Sequence, residues 1–154
     1  MKRTVQKIIT FFVVVLGICC INKIDAKAFT TGDITYINGQ RYLYSNGQKV
    51  INDFVFDGVY TYYAQADGTP MTNRLTYHPD GVHIIYFDKN GHEVFNAFQY
   101  CSSVGYNCYF DSQGYLYKHQ ITYIDGNPYY LNANGALEQN GWFRFANGMD
   151  YGYA

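Results

Sequence analysis

Beyond residue 28 the chain reads as short stretches in which apolar and polar residues alternate. They are rich in Tyr, Phe, Ile, Val and Thr and are separated by clusters of Gly, Asn and Asp. A period of two on residues of high β-propensity predicts half-buried strands. The clusters hold Asn-Gly and Asp-Gly pairs, which accept positive φ at little cost and predict tight turns. Pro70, Pro79 and Pro128 stand beside turns, where an absent N–H breaks no ladder. No stretch after residue 28 carries a helical period of useful length. The pattern predicts an all-β chain.

The strands recur in register. Aligned on the glycine that follows a polar turn residue, the chain gives "YLYSNG" ending at Gly47, "YAQADG" at Gly68, "YFDKNG" at Gly91, "YFDSQG" at Gly114, "YLNANG" at Gly135 and "FRFANG" at Gly148. The spacings are 21, 23, 23, 21 and 13 residues. Seven residues after each of the first five glycines comes a large apolar residue, namely Phe54, Leu75, Phe98, Ile121 and Trp142. Two further on stand Phe56, Tyr77, Tyr100 and Tyr123, and a second turn follows at Gly58, Gly81, Gly105 and Gly126. Each unit is therefore strand, turn, strand, turn, and a period of this length signals repeated supersecondary units. A lone two-stranded hairpin is not stable in water, so the units must stack and bury one another's rings. The last unit, ending at Tyr151-Gly152-Tyr153-Ala154, reads as incomplete: either a cap or a truncation.

Ahead of this pattern lies a stretch of another kind. Lys2, Arg3 and Lys7 precede a 14-residue run, Ile8 to Ile21, in which only Thr10 and Gly17 are not strongly apolar. Ala26-Lys27-Ala28 then offers small residues at alternate positions. This is the layout of a secretory signal peptide, and the run is shorter than the roughly 20 residues of a spanning helix. Residues 1–28 are expected to be a cleaved signal-peptide helix, cut after Ala26 or Ala28, and residues 29–154 the repeat domain. No membrane insertion is expected after cleavage. A lipoprotein anchor at Cys19 or Cys20 would need a small residue where Ile18 or Cys19 stands.

Setting residues 1–28 aside changes the charge. Lys plus Arg falls from 11 to 6 and Asp plus Glu from 12 to 11, leaving a net charge of −5. That argues against nucleic acid or an anionic membrane surface as partner, since both attract basic patches. It suits neutral glycans or cationic ligands. The 126 residues left keep all 18 Tyr, 9 of the 11 Phe and the single Trp, so rings must be sorted between core and binding surface.

Two cysteines remain, Cys101 and Cys108, flanking a six-residue segment. In an exported chain such a pair is expected to form a disulfide across a hairpin, contributing at most about 2–3 kcal/mol. Two thiols alone do not complete a zinc site. His78-Pro79-Asp80-Gly81 has the composition of a turn, and the other histidines, at 83, 92 and 119, share no ligand spacing. Asp57, Asp67, Asp80, Asp88, Asp111 and Asp125 recur at turn positions, where Asp caps its own backbone. Paired carboxylates could serve glycoside hydrolysis, but repetition by unit favours structure. Ser102 and Ser103 have no His and acid partners nearby in sequence. No catalytic group, metal or cofactor is expected.

At Gly141-Trp142, preceded by "YYLNANG" from Tyr129 to Gly135, the pattern resembles the cell-wall-binding repeats of Gram-positive surface proteins. That group includes choline-binding repeats, the glucan-binding repeats of glucansucrases and the oligopeptide repeats of clostridial toxins. The resemblance covers roughly residues 36–150. It implies a solenoid of stacked β-hairpins and non-covalent attachment to wall polymer or polysaccharide through sites between adjacent hairpins. In choline-type members a Trp, a ring of the Tyr-Tyr-Phe strand and a Met of a neighbouring repeat form a cation box. Trp142 matches the Trp. Tyr62, Tyr63, Tyr86, Tyr109, Tyr129 and Tyr130 match the strand rings, and Met71 comes nearest to the Met. Phe98 holds the Trp position in its own unit. The other Gly-Trp sites read Asp53-Phe54, Arg74-Leu75, Ala97-Phe98 and Gln120-Ile121, each one residue further from the turn glycine than is usual. Leu75 and Ile121 offer a cation no ring face. The resemblance therefore implies one Trp cage at most, at Trp142, in a divergent branch.

The expected function is that of a secreted, non-catalytic module held to a wall polymer: teichoic acid, peptidoglycan or glucan. The sequence shows no C-terminal hydrophobic tail or sorting motif, so attachment is expected to rest on the repeats. Two alternatives stand. The chain could be a structural or adhesion spacer whose rings only pack, or the attachment fragment of a larger wall hydrolase or glucansucrase. Exposure of the ring array separates the first alternative from a binding module.

Overall fold

The computed structural model describes residues 29–139, 141–145 and 148–153; the expected signal peptide, residues 1–28, lies outside the described residues. Among the described residues the fold is all β, with no helix. Fourteen strands follow in chain order: β1 (Thr30–Thr31), β2 (Asp33–Ile37), β3 (Gln40–Ser45), β4 (Gln48–Lys49), β5 (Asp53–Phe56), β6 (Thr61–Ala64), β7 (Arg74–Tyr77), β8 (Ile84–Phe87), β9 (Ala97–Cys101), β10 (Tyr106–Phe110), β11 (Gln120–Ile124), β12 (Asn127–Leu131), β13 (Trp142–Arg144) and β14 (Tyr151–Tyr153).

They form small separate sheets. β2, β3 and β4 make an antiparallel meander. β5–β6 is a hairpin carrying β1 as a parallel third strand. β7–β8, β9–β10, β11–β12 and β13–β14 are two-stranded hairpins. The last of these closes although its sequence reads as an incomplete unit.

The registers explain the double repeat in the sequence. Phe54 faces Tyr63 across its hairpin, Leu75 faces Tyr86, Phe98 faces Tyr109, Ile121 faces Tyr130 and Trp142 faces Tyr153. The two recurring apolar series are the two sides of one set of cross-strand pairs.

Three local devices build each unit. The first is a left-handed residue just before the first strand: Asn52, Asn73, Asn96 and His119 have φ of 50 to 55° or, at Asn96, 45°. Asn adopts this conformation more readily than other side-chain-bearing residues. The second is an Asx turn after the second strand. Asp88 Oδ1 accepts the amides of Asn90 and His92, both at 2.8 Å, and Asp111 Oδ1 accepts those of Gln113 and Tyr115 at 2.8 and 2.9 Å. Asn132 does the same for Asn134 and Ala136. The glycine of this turn is required twice over at Gly91. Its φ is +86°, and an added Cβ would lie 3.1 Å from the Met71 carbonyl oxygen of the preceding unit.

The third device is a return segment. The Glu93 amide donates to the Thr61 carbonyl, that of Leu116 to Ile84 and that of Leu137 to Asn107, each at 2.8 Å. In every case the acceptor belongs to the second strand of the preceding hairpin, so these bonds tie one unit to the last. The core is accordingly serial. One cluster joins Leu43 of β3 to Val55, Tyr62 and Ala64. A second joins Phe54 of β5 to Ile85 and Phe87 of β8. A third joins Tyr86 of β8 to Cys101, Cys108, Phe110 and Leu116. Each cluster spans two adjacent units, as stacking requires of hairpins too small to be stable alone.

The cysteines depart from expectation. Cys101 pairs with Tyr106 and Cys108 with Gln99, so the two lie diagonally on one face of β9–β10. The structure holds them as free, buried thiols in place of the expected disulfide. Cys101 Sγ donates to the Gln99 carbonyl at 3.6 Å. The neighbouring Cys108 thiol and burial push the Cys101 thiol far above the ordinary range.

Candidate functional site

By exposure the ring array divides into two populations. Tyr62, Tyr86, Tyr109 and Tyr130, all named by the resemblance as ligand rings, are at most 7% exposed and belong to the core. Their hydroxyls are used internally. Those of Tyr86 and Tyr109 donate to Asn73 Oδ1 and Asn96 Oδ1, both at 2.9 Å, and so brace the left-handed residue that opens each hairpin. Tyr62 donates to Asp57 Oδ2 at 2.9 Å and Tyr130 to the Arg144 carbonyl at 3.1 Å. Burial, aided by the Asp57 carboxylate, raises the Tyr62 phenol above its ordinary range. Of these four only Tyr130 lines one of the clefts described below.

The second population is exposed: it lies on the same side of each hairpin as Tyr86, Tyr109 and Tyr130 but nearer the tip. Tyr77, Tyr100 and Tyr123 hold the same place on three successive hairpins and are between 55% and 73% exposed. Their cross-strand partners are Ile84, Asn107 and Pro128, none of which is aromatic. The repeat thus places an uncovered phenol face at a fixed position on three successive hairpins. From sequence alone the series is given no role. Its signal is the recurrence two places beyond Leu75, Phe98 and Ile121.

Clefts between units add concavity. One, of about 210 Å³, is lined by Tyr63, Met71, Thr76, Tyr77, Ile85 and Phe87, and brings the expected Tyr63 and Met71 together with the exposed Tyr77. A second, of about 220 Å³, joins the expected Tyr129 and Tyr130 to Phe143, Phe145 and Tyr153. Trp142 does not line it. The indole is 75% exposed and stands edge-on to Tyr153 at 5.5 Å, while Phe143 takes the inner position, stacked on Tyr130 at 4.2 Å. Trp142 and Phe143 occupy opposite faces of β13, so the cage drawn from the resemblance is not assembled as expected. Phe98 meets Tyr109 at 5.0 Å and Tyr129 at 4.8 Å, both edge-on, and serves as a bridge between hairpins.

A third cleft, of about 290 Å³, lies among Phe29, Phe56, Tyr60, Phe95 and Glu93 and was not foreseen. Glu93 is 5% exposed. It occupies the bridge position held elsewhere by Pro70, Leu116 and Leu137. A charged residue type at a register position otherwise held by Pro and Leu is the signal that could have found it. Ring faces and a carboxylate are both attractive to an organic cation.

The carboxylates of the turns are structural. Asp57 Oδ1 accepts the amides of Val59 and Tyr60, and Asp80 Oδ1 those of Val82 and His83. Asp67 caps Thr69. His78-Pro79-Asp80-Gly81 is a turn closed by the Gly81 amide on the His78 carbonyl at 2.9 Å. Among the described residues no group of three or more His, Cys, Asp or Glu converges as a metal site.

No family model matches the chain, and no curated protein matches it by sequence. Solved structures share its fold. CbpJ from Streptococcus pneumoniae superposes with a TM-score of 0.63 at 22% identity, over 79% of this chain and 39% of that one. Choline-binding protein F of Streptococcus pneumoniae, crystallised with a peptidoglycan analogue, gives 0.61 at 21% identity, over 78% of this chain and 41% of that one. A truncated alternansucrase from Leuconostoc mesenteroides gives 0.59 at 25% identity, over 69% of this chain and 10% of that one. The chain shares its fold with these structures, a choline-binding protein among them, and spans well under half the length of each.

Proposed function

We propose that this chain, sharing its fold with choline-binding repeat proteins, is a secreted, non-catalytic module that attaches non-covalently to a cell-wall polymer or polysaccharide. In this reading the hairpins wind as a solenoid and present one binding position per unit. The observation that carries it is the exposed row of Tyr77, Tyr100 and Tyr123. Rings needed only for stacking would be buried, as Tyr86 and Tyr109 are. Three uncovered phenols at one repeat position are explained by a ligand with its own repeat. A tyrosine offers a sugar's C–H face an apolar surface with a hydrogen-bonding rim and little entropy to lose. Each contact is weak, and several along one polymer gain by effective concentration.

The net charge of −5 beyond residue 28 and the carboxylate in the Phe29–Phe95 cleft favour polymers that are neutral or carry cationic substituents. The short coverage of each neighbour supports a second reading, in which the same module is the attachment part of a larger wall hydrolase or glucansucrase. The test is co-sedimentation of the purified protein with Gram-positive walls, with walls stripped of teichoic acid, and with insoluble glucan, each with and without free choline. Release by choline identifies a cationic substituent as the ligand. Retention that ignores choline but depends on one polymer identifies that polymer. Failure to bind any of the three overturns the proposal.

A further inference from the structure

Two of the junctions between successive hairpins are closed by the same unusual pair. Tyr60, just before β6, stacks on His92 of the following return segment with ring centroids 3.7 Å apart and planes within 2°. His83, just before β8, stacks on Tyr115 of the next return segment at 3.8 Å and 8°. The places are equivalent with the residue types exchanged. Each stack adjoins the backbone bond that ties the units, Glu93 to Thr61 in one case and Leu116 to Ile84 in the other. At the corresponding third junction Tyr106 has no histidine partner; its hydroxyl donates to the Asn134 carbonyl at 3.1 Å.

Each imidazole also has a carboxylate at Nδ1. The distance is 2.7 Å from His83 to Asp80 Oδ2 and 3.5 Å from His92 to Asp88 Oδ2. From these geometries we infer that the His83–Tyr115 and Tyr60–His92 stacks are proton-sensitive joints that hold successive hairpins together more tightly when the imidazoles are protonated.

The physical argument is one of charge. A neutral imidazole on a phenol gains only the ordinary attraction of two stacked rings. An imidazolium puts a positive charge over the ring's negative face and against the carboxylate at Nδ1. The surrounding groups do not cancel this. Around His92 stand Asp88, Asp57 and the Tyr62 ring, opposed by Arg41, whose Nη1 donates to the Asn90 carbonyl at 2.7 Å. Around the His83–Tyr115 stack stand Asp80, Asp111 and Glu93, opposed by His78, whose Nδ1 lies 2.9 Å from Asp80. Both neighbourhoods hold more carboxylates than cations. The Asp80 carboxyl is held far below its ordinary range, first by its hydrogen bond with His83. Histidine is the side chain suited to switch charge within the physiological pH range. The inference concerns coupling between units and does not depend on what the module binds.

The experiment has two parts. In urea unfolding at constant ionic strength, the midpoint of the parent should be higher at pH 5.5 than at pH 8. Each joint should raise the folded-to-unfolded ratio roughly two- to fivefold at the lower pH. The His83→Gln, His92→Gln double variant should lose most of that difference, whereas Tyr60→Phe and Tyr115→Phe, which keep the stacked ring, should retain it. The second part needs no variant. In an NMR titration of the parent, Tyr115 and Tyr60 ring signals should move with the midpoints of His83 and His92 respectively. An unchanged pH difference in the double variant, or tyrosine rings that fail to follow the histidines, overturns the inference.

Discussion

Hairpin β9–β10 carries one tyrosine of each population, and substituting them separately should divide stability from binding. Tyr100 is 55% exposed and opposite Asn107. Tyr100→Thr puts a residue of high β-propensity in the strand and removes only an exposed ring, so stability should change by no more than about 0.5 kcal/mol. Binding should suffer. A sugar lying on the ring would cover roughly 30 Å² of it, and about 25 cal/mol per Å² over ring and ligand together gives about 1–2 kcal/mol. That is roughly a 5- to 30-fold loss of affinity per ring, compounded in the Tyr77→Thr, Tyr100→Thr, Tyr123→Thr triple variant. Tyr109→Phe is the converse. It keeps a buried ring and deletes the donor to Asn96 Oδ1, at a cost of about 1–2 kcal/mol in stability with the exposed Tyr100 ring left in place. Urea unfolding reads the first quantity and wall co-sedimentation the second. Unchanged binding by the triple variant, or an equal loss of stability and binding from Tyr100→Thr, would refute the division of the rings.

Three further outcomes follow from local geometry. At Asn96, where φ is 45°, Asn96→Gly should lose only the hydrogen bond from Tyr109, whereas Asn96→Ala should cost about 1 kcal/mol more because it adds left-handed strain; equal unfolding midpoints would show that strain is not what selects Asn. Cys101 and Cys108 should resist iodoacetamide at pH 8 in the folded protein and react when it unfolds, read as two adducts by mass; native labelling would contradict their burial, and labelling of the unfolded chain only after reduction would show that a bridge forms. The Asp57 carboxyl is opposed by burial, but the amides of Tyr60 and Val59 and the Tyr62 hydroxyl outweigh it and set a lowered value, as His83 does for Asp80. Groups depressed on folding stabilise above their unfolded value, near 3.9, and lose that contribution as pH falls through the folded one, so Asp57→Asn with Asp80→Asn should flatten the acid limb of stability below pH 4.

How far the sequence discloses this molecule depends on the range of each interaction. Strands and turns are legible because alternation and Asx-Gly chemistry act within a few residues, and the stacking follows from a hairpin's inability to stand alone. The side of each ring is partly legible. Alternation separates Tyr129 from Tyr130, but which face is buried is decided by the neighbouring hairpin. That is why Tyr62, Tyr86, Tyr109 and Tyr130 are expected at a surface and found in the core. Trp142 shows the same limit. Its rank as the one Trp at a Gly-Trp site draws attention to it, yet the inner face of β13 belongs to Phe143.

The recurrence of Tyr rather than Phe within the repeat then has a cause that sequence alone conceals. At Tyr86 and Tyr109 the hydroxyl is anchored on Asn73 and Asn96, the left-handed residues just before β7 and β9. An Asn there brings a side-chain carbonyl to the hairpin entrance, and the tyrosine of the facing strand satisfies it. The left-handed Asn and the buried Tyr are therefore the two ends of one brace. In the unit opened by His119 the same reasoning holds in reverse: there is no Asn carbonyl to satisfy, and the Tyr130 hydroxyl turns to the Arg144 backbone of the next hairpin.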